Sequence, residues 1–148
     1  MIVSFCGHRT LENAEEVYEE TVRIVEMLIR EGATQFYCGD MGAFDRLAAR
    51  ALRALKSRYP QVRSTLVKAY LDQEVPQELY DDSVWPPLEN IPPRLAIVMR
   101  NRWMTDESDA VVAYVRHGWG GASNMRAYAA KKGKRVIDIA ENLLQNNV

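Results

Sequence analysis

The segment IVSFCGHR at residues 2–9 joins a strand-like run to a polar turn. Its first five residues are almost entirely apolar, which is typical of a parallel strand that is covered on both faces. Gly7, His8 and Arg9 follow directly. Glycine permits close backbone approach, arginine can clamp an anion through two hydrogen bonds, and histidine can titrate or donate near neutral pH. We therefore expect this strand to end at a site.

A second segment, FYCGDMGAFD at residues 36–45, ends in the same way. Gly39, Asp40, Gly42 and Asp45 follow its apolar residues. The two acids stand at the start of the next helical pattern, where they would repel a phosphate but accept hydrogen bonds from ribose hydroxyls. Two strand ends with polar residues indicate one shared site.

Short apolar runs alternate with amphipathic segments along the whole chain. The pattern predicts five strands, at residues 2–6, 34–38, 62–70, 109–115 and 135–139. It predicts helices at about residues 14–28 and 44–55, from Pro93 to about 108, after the GWGG turn at 118–121, and at 140–148. Alternating strands and helices call for a parallel sheet with helices on both faces. The 148 residues thus predict a single α/β domain of Rossmann-like fold over residues 1–148.

Residues 72–93 interrupt this alternation. Five of the six prolines of the chain fall in this segment, together with paired acids. Proline-rich segments of this length do not continue a helix or a central strand, so we expect a surface excursion with one helical turn. Its length would suit a lid.

Composition excludes several classes of protein. A net charge of -1 and a pI near 6.1 provide no basic field, which argues against a nucleic-acid partner. The chain has no apolar run of the roughly 20 residues that span a bilayer and opens without a basic leader, so we expect a cytoplasmic protein and no membrane partner. Cys6 and Cys38 read as small buried residues at strand ends, and no metal site is expected.

The turn GWGGAS at residues 118–123 completes the site. In a parallel sheet, ligands bind beyond the carboxyl ends of the strands, so this turn should meet the two earlier loops. Its backbone amides and the Ser123 hydroxyl suit a phosphate, because no acid stands at this helix start. The ligand-binding residues that we predict from these three loops are Gly7, His8, Arg9, Gly39, Asp40, Gly42, Asp45, Gly118, Gly120, Gly121, Ala122 and Ser123.

Phosphate at one loop and sugar at another describe a nucleotide, but simpler roles remain open. Asp40 would also serve as a helix cap, and Arg9 as the ion partner of Asp40 or Asp45. Trp119 and Trp103 would suit stacking on a base, although the helical spacing of Trp103 favours a place in the core or an interface.

Three blocks of sequence together resemble a known family. FCGHR, GDMGAFDRLAARA and RNRWMTDESDAVVAYV, the last followed by a GG loop, resemble the SLOG superfamily, and within it most closely the YpsA-like proteins of uncharacterised activity. The resemblance runs from residue 2 to about 139. It implies a Rossmann-like fold that binds nucleotides or nucleotide-derived ligands. The superfamily also includes the DNA-processing protein DprA and the Lonely Guy phosphoribohydrolases.

The Lonely Guy motif can be followed through this sequence. Arg100 and Met104 match its arginine and methionine, while Asn101 replaces its lysine. Arg100 is thereby added to the candidate site residues. The glycine loop matches as well, but Ala122 replaces its threonine and Met125 stands near the place of its catalytic glutamate. Breaking an N-glycosidic bond calls for a carboxylate, which methionine cannot supply.

Three hypotheses follow. The first is binding or sensing of a nucleotide derivative, ADP-ribose- or NAD-like, with no cofactor established beyond such a bound ligand. The second is an N-glycosidase that acts on a nucleoside phosphate, with Asp40, Asp45 and Arg100 as catalytic candidates. The third is nucleic-acid binding by analogy with DprA, which the charge opposes. Apolar residues of the helix at Leu95–Met104 also predict a homodimer.

Overall fold

A single parallel sheet with helices on both faces forms the protein, as the sequence predicts. The computed structural model describes residues 1–146. Its strands are β1 (Ile2–Gly7), β2 (Gln35–Cys38), β3 (Arg63–Val67), β4 (Asp82–Val84), β5 (Ala110–Tyr114) and β6 (Arg135–Asp138). Its helices are α1 (Ala14–Arg30), α2 (Ala43–Leu55), α3 (Ala96–Glu107), α4 (Gly121–Lys131) and α5 (Ile139–Asn146). The last two residues of the predicted terminal helix lie outside the described residues.

The order of the strands places β1 at the centre of the sheet. The order is β4-β3-β2-β1-β5-β6, and every neighbouring pair is parallel. The chain builds outward from β1 to β4 and then returns to the other side of β1 as β5. Residue Val3 lies beside Ala110, and Gly7 lies beside Tyr114. Adjacent strands whose helices leave on opposite faces create a crevice at their carboxyl ends.

Side chains of the strands alternate between two apolar clusters. Val3, Phe5 and Val112 pack with α1, α2 and α5, whereas Cys6, Val111 and Ala113 pack with α3 and α4. This period of two follows from the pleat of a strand. Because both faces are buried, the sheet is the middle layer of three, which explains the uninterrupted apolar runs of the sequence.

The proline-rich segment contains a strand that the sequence analysis missed. β4 is only three residues long and consists of Asp82, Ser83 and Val84, so it lacks the apolar run by which the other strands were recognised. Polar contacts hold it at the sheet edge: Arg63 pairs with Asp82, and the Thr65 hydroxyl donates to Asp82 Oδ1 at 2.5 Å. The prediction of five strands was therefore one short.

Helix α3 begins slightly later than expected and carries the residues from which we predict a homodimer. A 3-10 turn at Pro93–Leu95 precedes it. Leu95 and Val98 are exposed, while Met104 is buried and Trp103 packs against Tyr37. The homodimer stays a prediction. Within residues 1–146, no helix has the length and apolarity needed to cross a membrane.

Gly7, at the end of β1, provides a test of this packing. A Cβ at this position would lie 2.3 Å from Cδ2 of Phe44, whose side chain is fully buried and has no room to yield. We expect Gly7→Ala to lower the free energy of unfolding by about 1–3 kcal/mol, the usual cost of overpacking a core. Urea denaturation measures this change in the free energy of unfolding.

Gly118→Ala is the matched control, because a Cβ there would meet nothing within 4 Å. Equal stabilities of the two variants would mean that Phe44 does not occupy the space next to Gly7.

Candidate functional site

A cavity of about 330 Å³ opens at the carboxyl ends of β1 and β5, where the two strands send their helices to opposite faces. Most of the residues predicted from the sequence meet there. Those that line it are Gly7, His8, Arg9, Gly39, Asp45, Arg100, Gly120, Gly121 and Ala122. Asp40, Gly42, Gly118 and Ser123 are not among its lining residues.

The turn after β1 sits on the first turn of α2. The backbone amide of Ala43 donates to the carbonyl oxygen of Arg9 at 3.0 Å, and the amide of Phe44 donates to that of His8 at 3.3 Å. These amides are among the four that a helix start leaves without an internal partner. Because these two amides are occupied and Asp45 adds an acid to the first turn, the start of α2 is unfavourable for an anion. The close docking fixes the His8 and Arg9 backbone at the cavity wall.

The start of α4 differs from that of α2. Gly120 precedes the helix, and its first turn contains no acid. The amides of Gly121, Ala122 and Ser123 belong to the set that has no intrahelical partner. A Cβ on Gly121 would meet nothing within 4 Å, so the space in front of this turn is open. The Ser123 side chain is buried instead of facing the cavity.

Arg100 forms the deepest charged part of the cavity. Its side chain is only 2% exposed, and its Nη1 donates to the carbonyl oxygens of Val67 at 2.9 Å and Gly39 at 3.1 Å. A Cβ at position 39 would lie 2.7 Å from the Arg100 Cζ, so glycine is needed there. Burial lowers the pKa of Arg100, although the nearby Asp45 carboxylate opposes this. The guanidinium therefore ties α3 to the ends of two strands.

Asp45 brings the opposite charge to the same cavity. Its Oδ2 accepts a hydrogen bond from the Met41 amide at 2.9 Å. Burial raises the pKa of Asp45, while the Met41 amide and Arg100 act in the other direction. A buried carboxyl of this kind can hold a ribose hydroxyl or act as a general acid or base.

Asp40 points away from the cavity, contrary to the grouping of the two acids in the sequence. It has a positive φ of 57°, a conformation that aspartate tolerates better than most residues. Its Oδ1 accepts a hydrogen bond from the Tyr80 hydroxyl at 2.8 Å and lies 2.7 Å from Arg46 Nε. Asp40 thus fastens the proline-rich segment to α2. Neither of the simpler roles applies to Asp40: α2 is capped at Gly42, and Asp40 pairs with Arg46, not Arg9.

His8 is held in its neutral form. Its Nε2 accepts a hydrogen bond from the backbone amide of Arg116 at 2.8 Å, which a protonated ring nitrogen cannot do. Burial and the neighbouring His117 lower the pKa of His8 below its usual range. Near neutral pH His8 is therefore a hydrogen-bond donor through Nδ1, and its titration lies below the range that the sequence led us to expect.

His117 lines the cavity although the sequence analysis did not select it. It stacks on His8, and Trp119 stacks on it in turn. The sequence could have indicated His117, because it lies between the end of β5 and the glycine turn. Gly118, next to it, faces a second cavity of about 570 Å³ that is bounded by α1 and α5.

The two cysteines and Met125 contribute little polarity to the site. Cys6 and Cys38 are free and buried, and burial raises the pKa of both thiols. Met125 lies at the cavity wall, where the resemblance to the Lonely Guy enzymes would place a glutamate. Among residues 1–146, no group of three histidine, cysteine or acidic side chains is arranged to hold a metal ion.

Arg100→Met tests the structural role of this guanidinium. The substitution leaves the Val67 carbonyl without this donor and removes the positive charge that opposes the effect of burial on the pKa of Asp45. We expect a loss of about 2–4 kcal/mol in the free energy of unfolding, measured by urea denaturation. Arg102→Met is the control on the same helix, because Arg102 is exposed and lies over the Tyr128 ring. Similar losses in both variants would contradict the assignment.

Comparison with solved structures identifies the fold. TM1055 matches with a TM-score of 0.64 at 16% identity, over 91% of this chain and 71% of that one. DNA processing protein A from Helicobacter pylori, studied for its single-stranded DNA binding mode, matches with a TM-score of 0.66 at 17% identity, over 99% and 73%. The Moco carrier protein from Chlamydomonas reinhardtii matches with a TM-score of 0.58 at 15% identity, over 94% and 75%.

No protein-family model matches the sequence, and neither does a curated protein. The likeness is therefore one of three-dimensional structure, and at these identities it concerns the fold alone. All three matches extend over more than nine-tenths of the chain. The chain therefore shares the Rossmann-like fold of these three proteins.

Proposed function

We propose that the cavity between β1 and β5 binds a nucleotide or a nucleotide-derived ligand, ADP-ribose- or NAD-like, with a phosphate against the first turn of α4. One observation carries the proposal. The starts of α2 and α4 both contribute to the cavity wall but differ: two amides of α2 are occupied by the His8 and Arg9 carbonyls, while the start of α4 is open and free of acids. A helix start with free amides attracts a phosphate.

Arg9 and Asp45 supply the other contacts of the proposed ligand. Arg9 is exposed at the rim, where its guanidinium is available to a second phosphate or to a carboxylate. Asp45 lies deeper and accepts hydrogen bonds, which suits a ribose hydroxyl. The volume of about 330 Å³ is near the lower end for small-molecule sites. A mononucleotide unit would fill it, and the remainder of a larger ligand would extend past the rim.

Within the SLOG-type fold, we propose that the chain belongs with the YpsA-like proteins, as the blocks FCGHR and RNRWM indicate. The H. pylori DprA comparison is at odds with our expectation that nucleic acid is not a partner, because the same fold is associated there with single-stranded DNA binding. The net charge of -1 nevertheless favours a small ligand. Binding of single-stranded DNA that weakens steeply with salt would reverse this preference.

Gly121→Asp tests the phosphate position. The new carboxylate would stand at the helix start and repel a phosphate, so affinity for AMP, ADP-ribose or NAD should fall at least about tenfold, the equivalent of one charge-assisted hydrogen bond. Isothermal titration calorimetry measures it, after a thermal-shift panel has identified the ligand that binds best.

Gly121→Ala is the matched control, since a Cβ there meets no neighbour and adds no charge. It should bind as the natural protein does. Unchanged affinity in Gly121→Asp would move the phosphate away from α4, with Arg9 as the next position to change.

An N-glycosidase is the second candidate, and the buried Asp45 favours it. Its raised pKa suits a general acid, and it would replace the glutamate that is missing at Met125. Arg100 is less suited to a direct role, because its Nη1 and Nε are engaged with Gly39, Val67 and Asn101. We favour binding without turnover, since no second carboxylate from the predicted set lines the cavity.

Chromatographic detection of free base separates the two candidates. Protein incubated with nucleoside monophosphates, NAD or ADP-ribose should release no base above background. Asp45→Asn should still alter affinity, through the loss of a ribose contact. Asp40→Asn is the control, since Asp40 is bound to Tyr80 and Arg46 outside the cavity. Steady release that Asp45→Asn abolishes and Asp40→Asn spares would establish the glycosidase.

A further inference from the structure

Three aromatic rings form a continuous stack at the mouth of the cavity. The His8 and His117 centroids are 3.9 Å apart with 13° between the ring planes. The His117 and Trp119 centroids are 3.7 Å apart with 18° between the planes. All three residues line the cavity. The nearly parallel rings therefore run from the end of β1, at His8, to the indole that precedes the glycine turn.

Backbone groups orient the two imidazole rings of this stack. The Arg116 amide donates to His8 Nε2 at 2.8 Å, and His117 Nδ1 lies 2.9 Å from the Trp119 carbonyl oxygen, which can only accept. The His8 amide in turn donates to the Tyr114 carbonyl at 3.3 Å. Each imidazole is thus oriented by the loop that follows β5, and the stack is formed without a ligand.

The outer end of the stack is open. Trp119 is 70% exposed, although His117 covers one face of its indole. The exposed surface must therefore include the other face. A large apolar ring that is held flat and left uncovered beside a cavity has no role in the core, and the fold gives no other reason for it.

We propose that the outer face of Trp119 is the stacking platform for the base of the ligand, and that His117 is a positioning residue that holds this platform. This inference rests on the proposed function. Trp119 and Gly121 are two residues apart and hence within about 7 Å along the chain. One loop thereby supplies a surface for the base and amides for the phosphate. A purine covers more of the indole than a pyrimidine does and binds more tightly.

Calorimetry with AMP and ribose 5-phosphate tests the platform, because the two ligands share the phosphate and sugar and differ by the base. AMP should bind the natural protein about 5- to 100-fold more tightly than ribose 5-phosphate, the range for one base stacked on an aromatic ring. Trp119→Leu should remove this difference and leave ribose 5-phosphate binding unchanged. Trp119→Phe keeps a ring and should retain most of the difference.

The same ligands test His117. His117→Ala should weaken AMP and spare ribose 5-phosphate, and His117→Phe, which restores a ring layer, should recover AMP binding. Thermal unfolding of all four variants should stay close to that of the natural protein, since Trp119 is exposed and His117 is half-exposed.

The outcomes distinguish this proposal from the one on which it rests. If AMP binds and Trp119→Leu leaves its affinity unchanged, the platform is refuted while the nucleotide site stands. If Trp119→Leu weakens AMP and ribose 5-phosphate equally, the indole shapes the phosphate loop and the platform is likewise refuted. If neither AMP nor any other nucleotide of the panel binds the natural protein, both proposals fail.

Discussion

The buried guanidinium of Arg100 is the interaction on which the rest of the site depends. A fully buried arginine is costly unless its donors are occupied and an opposite charge is near. Here the carbonyls of Gly39 and Val67 occupy Nη1, and Asp45 supplies the charge. The requirement explains three features together: the glycine at position 39, the acid at the start of α2, and the attachment of α3 to the ends of β2 and β3. The back wall of the cavity is therefore arranged around the hydrogen bonds and the charge of the Arg100 guanidinium.

The starts of α2 and α4, which both contribute to the cavity wall, differ in their surroundings. At α2, the His8 and Arg9 carbonyls accept hydrogen bonds from two of the free amides and Asp45 adds an acid, so that end holds the β1 turn in place. At the start of α4, no such carbonyl pair covers the amides and no acid lies in the first turn, so the positive end of the helix faces open space. The cavity wall therefore combines the Asp45 carboxyl group, next to Arg100, with the open amides of α4.

The sequence predicted the architecture and part of the site, for reasons that can be named. Strands such as β1 and β5 are buried on both faces, and that burial appears directly as an apolar run. β4 could not be found in this way, because it has no apolar run and is held at the edge by polar contacts of Asp82. The loops after β1, β2 and β5 could be assigned to one edge of the sheet, because in a parallel sheet all strands end at the same edge. Which of two nearby acids faces the cavity was not predictable, because it depends on the positive φ of Asp40 and on Tyr80, 40 residues further along.

The contacts of the proline-rich segment place it away from the cavity opening, unlike the lid that its length suggested. The Tyr80 hydroxyl donates to Asp40, and the Gln73 side chain donates to the Gly39 carbonyl at 3.0 Å, the same oxygen that Arg100 contacts. Both contacts lie on the side of β2 and β3, behind Arg100, and none of the residues between 72 and 93 lines the cavity between β1 and β5. A segment anchored there stiffens the back wall instead of closing over the opening. The opening is bordered instead by the loop between β5 and α4, where the exposed Trp119 and the glycines of the turn lie together.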